Sequence, residues 1–195
     1  GENVRLRVEI KSRYHEEDTN GYNVLAVIPG TDPAVAHEIV LIGGHLDSWH
    51  SSPGGSDNAD GVASTMEAMR ILKKVYPNPK RTILVGHWGS EEQGLNGSRA
   101  FVEDHPDIVK GVQAVFNQDN GTGRVVRLSG GGFLYAYDYL SSWLRAVPQE
   151  IRGEIETTFP GSPARGGSDY ASFQAAGAPT FSLSSLNWSY WDYTW

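Results

Sequence analysis

Apolar and polar positions change period several times along the chain. Val4, Leu6, Val8 and Ile10 alternate with Arg5, Arg7, Glu9 and Lys11, the period-two pattern of a strand with one wet face, and they predict a half-exposed edge strand. After the polar residues 16–21, residues 22–28 predict a second strand, stopped by Pro29 and Gly30. Residues 39–44 are a continuous apolar run that leads into His45, the pattern of a strand buried on both faces. Between residues 60 and 76, Val62, Met66, Met69, Leu72 and Val75 recur at helical spacing ahead of Pro77, which predicts a helix. Further strands are expected at 81–88, 112–116, 155–159 and 180–183, and shorter helices at 98–105, 139–147 and 170–176. Strands alternating with helices imply an α/β fold, a three-layer sandwich with a mostly parallel central sheet and helices on both faces.

Laid on those elements, the polar residues show a pattern. His45 with Asp47, Glu91 with Glu92, and Asp119 each fall just past the C-terminal end of a predicted strand. In open α/β sheets that edge is where ligands bind. Composition narrows what they can do. At 195 residues the chain is long enough for one well-buried core, so a single domain, residues 1–195, is expected. A net charge of -7 argues against a nucleic-acid partner, which needs a basic face. No apolar run approaches the ~20 residues needed to cross a bilayer. With no cysteine, any metal must be held by imidazole and carboxylates. The chain begins at Gly1 without a leader, the form of a mature product or an excised piece.

Each polar group has a plain and a chemical reading. In His45-Leu46-Asp47, Asp47 can accept the proton of one imidazole nitrogen while the other binds metal; otherwise His45 is a loop histidine. Asp57, in the glycine-rich turn before the helix, is either a helix cap or a carboxylate bridging two ions. Glu91 and Glu92 are either a solvated pair, or one ligand and one general base whose mutual repulsion a cation relieves. Asp119 sits in a polar turn after an apolar strand. His87, inside an apolar strand, reads as a satisfied core residue.

Five linked motifs resemble the clan MH co-catalytic zinc peptidases, which include secreted bacterial aminopeptidases and plasma glutamate carboxypeptidase. They are Gly44-His45-Leu46-Asp47-Ser48, Asp57-Asn58 with Gly61-Val62-Ala63, Glu91-Glu92-Gln93-Gly94-Leu95 with Gly97-Ser98, Asn117 with Asp119, and Gly167-Ser168-Asp169 with Phe173. The resemblance implies a secreted or periplasmic exopeptidase of the aminopeptidase or di-/carboxypeptidase type, acting on a peptide or dipeptide with no membrane partner. It implies two zinc ions: His45, Asp57 and Asp119 on the first, Asp57 and Glu92 on the second. Glu91 takes the place of the general base for a metal-activated water, Asp47 that of the residue orienting His45, and the Asp57-Asn58 peptide bond is expected to be cis.

The family pattern has one more histidine near the C-terminus, and none follows Gly167-Ser168-Asp169 here. The expectation is therefore a catalytic domain incomplete at both ends, with a weakened or absent second zinc unless His50 or a neighbouring chain supplies a nitrogen. Tyr170 stands where many relatives carry histidine, which bears on specificity. Tyr193 offers either aromatic packing or a donor to the transition state. Asn96, Asn120 and Asn187 each begin an N-glycosylation triplet. The alternatives are a glutaminyl cyclase-like enzyme with a single zinc, and a non-catalytic binding domain.

Overall fold

The computed structural model describes residues 3–119 and 121–193, Tyr193 by its backbone alone; the Asn120 triplet and the Tyr193 side chain thus lie outside the described residues. Seven strands form one sheet in the order β1-β3-β2-β4-β7-β5-β6. They are β1 (Val24–Ile28), β2 (Ile39–His45), β3 (Thr82–Trp88), β4 (Val112–Gln118), β5 (Thr122–Gly130), β6 (Glu156–Thr158) and β7 (Thr180–Leu186). Strands β3, β2, β4 and β7 run parallel, as does the β5-β6 pair, while β1 and β5 pair antiparallel with β3 and β7. The helices are α1 (Asp60–Val75), α2 (Asn96–Asp104), α3 (Pro106–Lys110), α4 (Ala136–Ala146), α5 (Gln149–Arg152), α6 (Tyr170–Ala175) and α7 (Tyr190–Tyr193).

Alternation along the central strands divides the core between two faces. Leu41, Leu84 and Val115 pack with Phe101 of α2, Val109 of α3 and Phe173 of α6. On the other face Ile83 and Val85 pack with Met69 of α1, and Ala114 and Phe181 with Leu140 of α4. Helices therefore cover both faces, the three-layer arrangement that the alternation of elements predicts. Trp88, fully buried at the end of β3, stacks at a tilt against Phe101 and Phe173, with ring centroids 5.1 and 5.4 Å apart. Such aromatic pairs add about 0.5–1.5 kcal/mol each beyond area burial, and they brace the sheet edge beside His45.

Three expectations need correction. Residues 4–11 form no strand, and Val4, Leu6, Val8 and Ile10 are 72–84% exposed; a period of two supplies a face, but a strand also needs a neighbour to pair with. Helix α1 buries Gly61, Thr65 and Met69, whereas Met66 and Val75 point outward. Strand β5 lies in a stretch that carried no strand prediction, because Gly123 and two arginines break its alternation.

Candidate metal centre

The ends of β2, β3 and β4 meet because these strands are parallel neighbours, with His45 in register with Trp88 and Gly43 with Asn117. His45 is the last residue of β2, Glu91 and Glu92 lie in the turn after β3, and Asp119 follows β4 directly. Asp57 arrives from a kinked turn, Gly55–Ala59, that precedes α1 and is entered through Gly54 in the left-handed region at φ 64°. The Asp57-Asn58 peptide bond is cis. Asn58, 1% exposed, donates its side-chain amide to the carbonyls of His45 and Gln118 at 3.3 and 3.0 Å. It reaches them because Gly44 has no side chain: a Cβ there would collide with the Gln118 carbonyl and the Asn58 amide.

His45 Nε2 is 2.9 Å from Asp119 Oδ1 and 2.8 Å from Asp57 Oδ1, with Glu91 Oε2 at 4.0 Å. The nitrogen has one in-plane bonding direction. It is directed at Asp119, so Asp57 Oδ1 is buried with no hydrogen bond despite its proximity. One proton cannot serve both oxygens; a cation can. His45, Asp57 and Asp119 each present a ligand atom within 4.8 Å of the others. This donor set of imidazole and carboxylates without thiolate fits a divalent transition metal such as zinc. Glu92 is not part of that compact group, and His50 is exposed on the loop beyond β2.

Asp47 lies against the outer nitrogen of His45, its carboxylate Oδ1 3.6 Å from Nδ1. His45 Nδ1 bonds the Asp47 backbone carbonyl at 3.0 Å, and the Asp47 carboxylate accepts the amides of Glu91 and Glu92 at 3.0 and 3.3 Å. One residue thus meets the imidazole through its carbonyl and the neighbouring turn through its carboxylate. That turn needs holding, because Ser90 and Leu95 on either side of it have φ of 55° and 62°, a conformation unfavourable to any residue with a Cβ.

The electrostatics follow from crowding carboxylates around one histidine. Burial works against the charged form of His45, but the hydrogen bond to Asp119, the close approach of Asp57 and the charges of Asp119 and Glu91 push its pKa up to about 11. Burial, then the charge of Asp119, pushes Glu91 up to about 8. Burial, then Asp57, raises Glu92 to about 7. Asp57 stays below its usual range: burial opposes this, but the close approach of His45 and the hydrogen bond from Tyr190 outweigh it.

Two further residues join the site for which the sequence assigned no role. The Tyr190 hydroxyl, from α7, donates to Asp57 Oδ2; no local pattern marks one tyrosine among nine. Asp169 is fully buried with neither oxygen hydrogen-bonded. Burial raises it to about 7, with the nearby Ser98 hydroxyl and His45 pulling the other way. Its place in the Gly167-Ser168-Asp169 motif was the available signal. His87 is a buried core residue satisfied by Thr65 Oγ1 at 2.8 Å.

A seven-stranded α/β sandwich thus carries, at the carboxyl edge of its sheet, one buried histidine ringed by carboxylates that could hold a metal ion. The sequence profile of peptidase family M28 matches residues 23–195, and the chain belongs to that family. Carboxypeptidase Q of Mus musculus is 32% identical over 122 residues, covering 63% of this chain and 25% of that protein. The crystal structure of a peptidase M28 precursor from Shewanella amazonensis superposes with a TM-score of 0.76 at 30% identity, covering 88% of this chain and 37% of the other. The Bacillus subtilis zinc aminopeptidase BSAP gives a TM-score of 0.61 at 28% identity, over 83% of this chain and 39% of the other. The chain thus spans about a quarter of the length of the curated relative and under two fifths of these two structures. Among the described residues no helix is long and apolar enough to cross a membrane.

Proposed function

We propose that this chain is the catalytic domain of a zinc exopeptidase that hydrolyses the peptide bond next to a chain terminus, with Glu91 as general base. The observation that carries this reading is the convergence of His45 Nε2 on two carboxylate oxygens at 2.8 and 2.9 Å, which one proton cannot serve. In this reading His45, Asp57 and Asp119 hold the zinc, three protein ligands being the usual number at a catalytic site. When bound, zinc polarises the scissile carbonyl and lowers the pKa of water.

The remaining work falls to the chain's own residues. Glu91, at 4.0 Å from His45 Nε2, takes a proton from water and returns it to the leaving amine. A carboxyl with raised proton affinity suits both halves of that transfer. Asp47 fixes the Glu91 amide, and so the direction of its side chain. His45 is kept in one tautomer, since the Asp47 carbonyl accepts the Nδ1 proton and leaves Nε2 for the metal.

A second ion between Asp57 and Glu92 binds more weakly in this reading. The compact group holds one histidine among the described residues, and Asp57, which a second ion would also need, already accepts the Tyr190 hydroxyl. Elemental analysis after dialysis is expected to return one tightly held zinc per chain; two retained equally would overturn this. The zinc-loaded chain is expected to release terminal residues from dipeptides. In Glu91→Gln, turnover should fall by at least about a hundredfold with zinc content unchanged. Activity retained in that variant removes the base assignment, and absence of bound zinc removes the whole reading. Cyclisation of an N-terminal glutamine peptide in place of hydrolysis would favour the glutaminyl cyclase alternative.

A further inference from the structure

On one face of β5, β6 and β7 the side chains change character. Phe181, Leu183 and Leu128 pack toward α4, while their alternating neighbours on the opposite face are the hydroxyl residues Ser129, Thr180, Ser182 and Ser184, with Arg127 beyond Ser129. Thr158 is in register with Ser129, and Ser129 with Ser182. Ser182 is in register with Asn117, two residues before Asp119. Residues in register on adjacent strands share a face, so one polar row crosses β6, β5, β7 and β4 and ends beside the metal centre.

A row of this kind ordinarily faces solvent. Here residues 161–170 fold over it, and a cavity of about 230 Å³ remains between. Six hydroxyl residues line it: Ser129, Thr158, Ser162, Tyr170, Thr180 and Ser182. None of these hydroxyls has a hydrogen-bond partner among the described residues, and Thr180, 1% exposed, keeps its Oγ1 buried and unpaired. Thr158 and Ser162 are exposed and Ser129, Tyr170 and Ser182 half-buried; the burial cost therefore falls on the Thr180 hydroxyl, and a ligand able to pair with it offsets that cost. No charged side chain is among the lining residues. The volume lies below the range typical of drug-sized ligands and suits one amino-acid side chain. One strand spacing and two residues of rise separate Ser182 from Asp119, roughly 8 Å, which is within the reach of a single residue.

We propose that this cavity is the specificity pocket of the exopeptidase, and that it takes the uncharged hydrogen-bonding side chain of a terminal Ser, Thr, Asn or Gln. The assignment rests on the peptidase reading above. It follows from a pocket lined by six hydroxyl residues and three glycines, with the buried Thr180 hydroxyl unpaired and no charge to neutralise Lys or Glu. Discrimination comes from the unpaired hydroxyls, which an apolar side chain would cover without satisfying.

The closest comparison is threonine against valine, which share a shape and differ by the hydroxyl. With the zinc-loaded chain and the dipeptides Thr-Gly, Val-Gly, Gly-Thr and Gly-Val, the threonine form at the preferred end should show kcat/KM at least about tenfold above its valine partner. The double variant Ser129→Ala with Ser182→Ala should bring that ratio close to one, mostly through KM, while leaving valine turnover in place. Thr180→Val breaks no internal hydrogen bond; it should therefore fold normally and also narrow the ratio. A valine preference, or a ratio unmoved by the variants, overturns the pocket while leaving the peptidase reading intact. If no dipeptide is cleaved, the peptidase reading fails, and calorimetric titration with free L-threonine and L-valine still decides the pocket: equal or tighter valine binding refutes it.

Discussion

Asp47 receives two consecutive backbone amides, and in doing so ties the turn that carries the base to the strand that carries His45. Asp47→Asn keeps the size of the group but removes its charge and one acceptor. We expect activity to drop by about 10–100-fold, the usual effect of a residue supporting a metal site, with zinc content largely kept; unchanged kcat would show that the turn holds itself. His87 gives a separate expectation for pH. Burial lowers its pKa below 6.5, so the folded protein holds it neutral while the unfolded chain binds a proton first. Stability from this group is complete above pH 6.5 and is lost as pH falls below that value. Melting temperatures of His87→Gln should therefore decline less steeply than those of the parent between pH 7.5 and 5.5, and parallel slopes would refute the assignment.

At the level of elements, α1 shows why periodicity locates a helix better than it orients one. Its methionines are three residues apart, yet Met69 is 9% exposed and Met66 59%. The helix turns its small residues, Gly61 and Thr65, toward the sheet because the chain entering from Asp57 and Asn58 needs close approach there. Met69→Ala should cost about 2 kcal/mol or more in chemical denaturation, and Met66→Ala should stay within about 0.5 kcal/mol. Comparable losses would mean that the helix is rotated from the described orientation. Strand β2 was fully legible, since burial on both faces leaves an unbroken apolar run. Residues 4–11 were misleading for the converse reason: alternation alone does not reveal whether a partner strand stands beside it.

For the whole molecule, the dominant feature is a concentration of negative charge. Asp47, Asp57, Glu91, Glu92, Asp119 and Asp169 surround one buried imidazole, and burial leads the upward pKa shifts of Glu91, Glu92 and Asp169. The folded protein is therefore under electrostatic strain that a divalent cation relieves. Zinc at a hundredfold excess over its dissociation constant should stabilise the fold by about 2.7 kcal/mol, raising the melting temperature by roughly 5–10 °C for a domain of this size. Calorimetry with zinc and with chelator measures it directly, and identical melting curves would argue against a metal at this centre.

The amino-acid sequence by itself determined the class of fold, the parallel strands near the centre, and the motifs that set His45, Glu91 and Asp119 at strand ends and Asp57 in the turn before α1, because periodicity and short motifs are local properties. Tertiary structure alone decided that the Asp47 carboxylate also holds the turn of Glu91 and Glu92, that Tyr190 reaches Asp57 across 133 positions, and that hydroxyls from β5, β6 and β7 line one cavity. Those facts depend on a sheet order in which β7 lies between β4 and β5. Spatial neighbours are then set by strand pairing and register, and the spacing of residues along the chain does not encode them.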